Sequence, residues 1–294
     1  MTASTLTRRR GSQERRQPRR RYPERPTWRT VVLTVAAYFI GFLFIFPYLD
    51  MIITSLRPQS ELQSSAILPR HFEFSAYRAL LSSGLLHNLL ITVLIAGGAT
   101  ILVLLVAMPA AYYTARFRFR GRALFLALVL VTQMLQPASL LVGIYRQYYA
   151  IGGLNTVWAL ILVNAGFNMA FAVWILTAYF ASIPKELEEA AMVDGATRIV
   201  TLRRITLPLA GPGVVTALIF TFIAAWNEFL VALTLTSTPH KQPLTVAINN
   251  FLGAYSIAWQ NMFAASVIAT IPVIVLFAII ERKLVRGLTA GSIK

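Results

Sequence analysis

The sequence predicts an all-α, polytopic membrane protein: six transmembrane helices and one prominent cytoplasmic loop. Three observations carry this prediction: six long apolar runs, five of them free of charge, the absence of strand-like alternation within them, and basic residues gathered in alternate connections. Of 294 residues, 57% are hydrophobic and 13% charged, and the mean hydropathy is +0.65. Soluble domains are about 45–50% apolar and about 25% charged, so a water-soluble enzyme with an ordinary surface is excluded. The net charge of +16 does not indicate nucleic acid, because the basic residues lie between apolar runs instead of covering one solvated face. The chain has no cysteine, which removes disulfides, thiolate metal sites and thiol catalysis. Its three histidines, His71, His87 and His240, are far apart and lack metal-ligand spacing.

Crossing about 30 Å of hydrocarbon takes roughly 20 helical residues. The six runs are residues 31–49, 89–112, 123–143, 158–180, 213–235 and 262–280. They must be helices, because an unpaired backbone group in lipid costs several kcal/mol and a helix satisfies its own. Continuous apolar character argues against a barrel, whose strands alternate. Pro47, Pro109, Pro137 and Pro272 predict kinks or breaks that neighbouring helices cover. The first run is too long for a cleaved leader, and Pro47-Tyr48-Leu49-Asp50 stands where small residues would mark cleavage. Residues 1–27, Arg-rich and interrupted by Pro18, Pro23 and Pro26, are expected to be a disordered cytoplasmic tail. The tail suits topology and contact with anionic lipid, or docking of a partner. Residues 28–294 are expected to form the six-helix domain.

Orientation follows from Lys and Arg. The first 30 residues, segments 113–122 and 181–211, and the C-terminus hold 22 of the 27 basic residues. Both termini are therefore expected in the cytoplasm, with the protein crossing the membrane several times.

The 181–211 connection places Glu186, Glu188, Glu189 and Asp194, four of the chain's eleven acids, within nine residues. Acids suit the positive end of a helix dipole, and Ser182 and Pro184 are typical of a helix start. Gly195 is placed where a positive φ would end that helix. A second short helix over 196–206 is expected, with Leu207-Pro208-Leu209 leading into the fifth run.

Glu189-Ala190-Ala191, Asp194-Gly195-Ala196 and then Ile205, Leu207 and Pro208 resemble the EAA loop of permease subunits of ATP-binding-cassette importers. Ala110-Ala111-Tyr112 with Ala115-Arg116, Gly153-Leu154-Asn155-Thr156, Trp226-Asn227-Glu228-Phe229 and the ending Leu284-Val285-Arg286-Gly287-Leu288-Thr289-Ala290-Gly291 are similar to the carbohydrate-uptake branch, specifically its shorter maltose-type subunit. The resemblance covers about residues 28–294. It implies a permease that binds no cofactor itself and works with a second permease, two ATPase subunits using ATP and Mg, an extracytoplasmic solute-binding protein, and a sugar. Within it, Glu189, Ala190, Ala191, Asp194, Gly195, Ala196, Leu207 and Pro208 would contact or shape the ATPase joint. Gly287, Thr289 and Gly291, in a small and flexible tail, would reach the ATPase.

An ionisable residue inside a span is costly and marks function by default. Glu228, beside Asn227, lies within the fifth run and either meets solute or pairs with the second permease. Trp226 or Trp174 offers an aromatic face to a sugar ring, while Gln133, Gln136, Asn164 and Asn168 line a cavity or join helices. Asp50 falls at the outer end of the first run, solvated or capping. No phosphate-binding glycine loop is present, so ATP hydrolysis is expected in a separate subunit. Two other solute types, glycerol-phosphate and polyols, remain alternatives. A stand-alone secondary transporter would be expected to show inverted repeats and several buried charges, and an intramembrane hydrolase would need a nucleophile paired with a base.

Overall fold

The computed structural model describes residues 28–61, 68–253 and 257–290, with backbone alone for 281–290. The expected tail 1–27 lies outside the described residues, as does Gly291. The chain divides into two units, one ending at Tyr48 and the other beginning at Leu49. The first unit contributes most of α1 (Trp28–Ser55), which contains Pro47 without ending there. The helix also continues past Asp50, which therefore neither caps nor terminates it.

In the second unit the helices are, in chain order, α2 (Ser75–Ser82), α3 (Leu85–Arg116), α4 (Arg122–Met134), α5 (Pro137–Ala150), α6 (Val157–Ser182), α7 (Glu186–Val193), α8 (Arg198–Thr201), α9 (Leu207–Leu209), α10 (Gly211–Trp226), α11 (Leu230–Leu235), α12 (Leu244–Asn249) and α13 (Trp259–Ala290). Among the described residues the only β pairing is an isolated bridge between Leu252 and Ile257. Four helices are long and apolar enough to span a membrane: α1, α3, α6 and the Trp259–Ile280 part of α13. Two bent pairs bring the number to six if each counts as one span: α4 with α5 at 94°, and Arg198–Leu209 with α10 at 73°.

Two of the six expected runs are thus not single helices. The third breaks where Leu135 and Gln136 become extended, because the ring of Pro137 clashes with a helical conformation in the residue before it. Pro137 itself opens α5 at a position where its missing N–H is no loss. The fifth run stops at Trp226, and Asn227-Glu228-Phe229 separate α10 from α11. By contrast, Pro109 and Pro272 sit inside continuous helices.

Packing in lipid gains little from apolar burial, so small residues that let backbones approach hold spans together. One edge of α3 obeys this rule: Ala96, Ala99, Val103, Ala107, Ala111 and Ala115 are all buried against α6 and α10. Where α10 begins, Gly213 is buried, and a Cβ there would overlap the Tyr179 ring of α6. Gly213→Ala is expected to cost about 1–3 kcal/mol through overpacking, read as a lower thermal midpoint of the purified protein in detergent. An unchanged midpoint would show that Tyr179 yields freely.

At the opposite end of α6, Asn155 takes a left-handed conformation, φ 57°, which Asn tolerates better than most residues. Its Oδ1 accepts from the backbone N–H groups of Ser237 (2.7 Å) and Thr238 (3.0 Å), and its own N–H donates to Leu235 O. Asn88 of α3 donates to the carbonyls of Pro239 and Gln242. Two asparagines therefore hold the 236–243 loop against the bundle end, giving the Gly153–Thr156 segment a structural role.

Candidate functional site

The 181–211 loop begins with Ser182 closing α6, its Oγ donating to Tyr179 O, rather than opening the next helix as expected. α7 starts after Lys185, with Glu186, Glu188 and Glu189 in its first turn, where carboxylates favour the helix dipole. It ends in a Schellman turn: Ala196 N–H donates to Ala191 O and Gly195 N–H to Met192 O, with Gly195 at φ +87°. Thr197 then caps α8 by accepting from Val200 N–H. Leu202–Thr206 form a π-helical turn, closed by Leu207 N–H on Leu202 O, which runs into α9.

α7 has two edges with different environments. Glu188 and Ala191 are buried, whereas Glu189, Ala190 and Val193 are exposed, Val193 to 87%. Leu187, Met192 and Ile199 add exposed apolar surface around them. Asp194, Gly195 and Pro208 are also exposed, while Ala196 and Leu207 are half-buried. The two alanines therefore separate: Ala190 faces outward and Ala191 packs against its own chain.

In the sequence Glu188 is one acid among four. The structure makes it the hub of the loop. Arg116 Nε donates to Oε1 at 2.9 Å, and Thr206 Oγ1 donates to the same oxygen at 2.8 Å. Tyr112 OH donates to Oε2 at 3.0 Å. Arg116 Nη2 lies 2.8 Å from Oε1 as an ion-pair contact without hydrogen-bond alignment, and Nη1 donates to Ile183 O at 2.9 Å. The end of α3, the end of α6, α7 and the π turn thus meet on one buried ion pair, whose side chains are 5% and 9% exposed. Beside it lies a cleft of about 230 Å³ bordered by Phe117, Lys185, Glu189 and Arg198, with Arg198 stacked over Phe117 at 5.4 Å.

A second site forms where the two helix breaks meet α6. A cavity of about 470 Å³ is lined by Gln133, Gln136, Asn164, Asn168, Asn227 and Glu228, with Phe167 and Phe229 among its apolar walls. Glu228 has a role that the sequence did not indicate. Its Oε1 accepts from Val231 N–H (2.7 Å) and its Oε2 from Ala232 N–H (3.0 Å), so the carboxylate caps α11. Each oxygen retains accepting capacity. Asn164, Asn168 and Asn227 each spend one amide N–H on the carbonyl four residues back. The wall is therefore rich in acceptors. Trp226, expected to stack on solute, does not line the cavity: it is 4% exposed in the core and stacks on Phe222 at 5.5 Å. Gly287 and Thr289 lie in the helical backbone of α13, not in a flexible tail.

Residues 104–290 match the family described as binding-protein-dependent transport system inner membrane component. This stretch is more than half of the chain and contains both sites. The chain belongs to that family. The permease is 34% identical over 268 residues to the trehalose/maltose transport system permease protein MalG of Thermococcus litoralis, covering 90% of this chain and 96% of the relative. It is 36% identical over 253 residues to the trehalose transport system permease protein SugB of Mycobacterium tuberculosis, covering 85% and 92% respectively. Its fold is similar to that of a bacterial ATP-binding-cassette transporter involved in the import of the acidic polysaccharide alginate, with a TM-score of 0.74 and 22% identity over 86% of this chain and 95% of that one. The permease thus belongs among the inner membrane components of binding-protein-dependent transport systems.

Proposed function

We propose that the permease forms half of the translocation pathway of an importer for a sugar or a similar neutral polyhydroxy solute. A second permease supplies the other half, and two separate ATPase subunits bind ATP and Mg. An extracytoplasmic solute-binding protein delivers the solute, and both termini face the cytoplasm. The observation that carries this reading is the cavity at the helix breaks. Its carboxylate and amide oxygens accept from sugar hydroxyls, and Phe167 and Phe229 supply the aromatic faces expected of Trp226. The relatives named for trehalose and maltose support the same solute class. Coupling runs through the outward edge of α7: Glu189 is free to pair, Ala190 allows close approach, and Gly195 sets the turn.

The test is reconstitution with the second permease, the ATPase subunits and the binding protein in proteoliposomes. ATP-dependent accumulation of a labelled neutral disaccharide is expected. Uptake driven by an ion gradient without the ATPase, or failure of tagged permease to bring down an ATPase, would overturn the reading. In the same assay Glu228→Leu removes both capping acceptors and the charge offered to solute. Losing a hydrogen bond to a charged group is worth about 1.5–3 kcal/mol, so uptake is expected to fall about ten- to hundredfold. Glu228→Gln, which keeps one acceptor oxygen, should fall between the two. Wild-type uptake by the leucine variant would remove Glu228 from the pathway.

A further inference from the structure

We propose that Glu188 is a positioning residue that makes α7 move as one body with α3 and with the π turn leading to α10, so that force applied at the outward edge of α7 reaches the spans. This rests on the coupling role proposed above for the loop. The chain path creates the need for such a residue. α7 has eight residues, is tied to α6 only through residues 183–185, and turns into α8 at Gly195, the most permissive residue type. Backbone connections alone would let it pivot.

Glu188 removes that freedom. Its two oxygens take hydrogen bonds from Tyr112 and Arg116 of α3 and from Thr206 of the π turn, and Arg116 extends the network to the carbonyl of Ile183, just past α6. The helical phase matters: Glu188 points inward while its neighbour Glu189 points outward. One acid thus meets the partner, and the next carries the displacement inward. The π turn completes the arrangement. Adding a residue to a turn rotates the downstream helix by about 100° relative to α-helical register, and in the observed register Thr206 faces Glu188. From there α9 and α10 lead to Asn227 and Glu228 at the cavity, so this route joins the two candidate sites.

The test uses the assembled transporter in proteoliposomes, and two readouts separate transmission from folding. This chain has no native cysteine, so once any cysteines of the other subunits are replaced, a spin-label pair at Tyr113→Cys on α3 and Glu186→Cys on α7 reports on it alone. In the otherwise wild-type background the inter-label distance is expected to be narrow with and without ATP. Glu188→Gln and, more mildly, Thr206→Val should broaden it and lower solute transported per ATP hydrolysed by about tenfold, within the usual range for a coupling change. Wild-type stoichiometry in both variants, or loss of transport with an unchanged narrow distance, would overturn the proposal. Should Glu188→Gln fail to assemble, Thr206→Val, which removes one hydroxyl, decides alone. If the wild-type complex itself shows no ATP-driven uptake, the functional reading fails instead, and the spin-label distances in the same membranes still decide whether Glu188 fixes α7.

Discussion

Arg116→Leu is expected to destabilise the permease by about 3–5 kcal/mol, the cost of leaving one member of a buried ion pair without its partner. Glu188 would keep its hydrogen bonds from Tyr112 and Thr206 but lose the neutralising charge, and Ile183 O would lose its donor. The mechanism makes a sharper second claim. Arg116→Leu combined with Glu188→Leu should recover part of the loss, because replacing a buried pair by apolar residues is often neutral or stabilising, while Tyr112, Thr206 and Ile183 O still lose their partners. Arg116→Lys should not behave as a conservative change, since an ammonium cannot reproduce a guanidinium that contacts Glu188 and Ile183 O together. Thermal midpoints of the detergent-purified single and double variants check this. A double variant as unstable as Arg116→Leu alone would mean that the damage comes from lost packing and not from an orphaned charge.

Gly195→Val should leave the packed helices of the second unit folded but abolish coupled uptake. A Cβ at Gly195 would meet nothing within 4 Å, so the substitution acts through the backbone alone, at φ +87°. A β-branched residue resists that conformation, and holding it there costs on the order of 1–3 kcal/mol. The cheaper response is to open the Schellman turn, releasing the Ala196-to-Ala191 and Gly195-to-Met192 hydrogen bonds and re-aiming α8 against α7. Gly195→Asn, which tolerates positive φ, should retain much more uptake than valine. Uptake and ATPase pull-down measured on the same preparations provide the check. Equal uptake by the asparagine and valine variants, both near wild type, would exclude Gly195 from the joint.

The long spans were legible because hydrocarbon excludes charge, and the runs behind α3 and α6 contain none. The turn at Gly195 was legible from the end of a short periodic stretch, whereas Pro137 was only one of four prolines expected to kink or break a span, and the other three lie inside continuous helices. Two other features were not legible, for separate reasons. No proline or glycine marks the break at Asn227-Glu228-Phe229; a carboxylate that takes two backbone N–H groups makes it, and such a contact has no pattern in sequence. Glu188 could not be told from Glu189 because both stand in one turn of α7. The choice of inner edge depends on Arg116, 72 positions earlier. The four-arginine segment 113–122 indicated membrane topology but not that its first member turns inward to an acid.

The adjacent glutamates also differ in how they respond to ions in solution. A mobile ion atmosphere at about 0.15 M screens exposed charges over about 8 Å but reaches buried pairs much less. Glu189, on the open surface, is subject to that screening, whereas Glu188, 7% exposed, is sheltered from it. Raising ionic strength should therefore loosen the contact proposed at Glu189 well before it slackens the linkage at Glu188, so the proposed docking and transmission can be titrated apart with nothing more than salt.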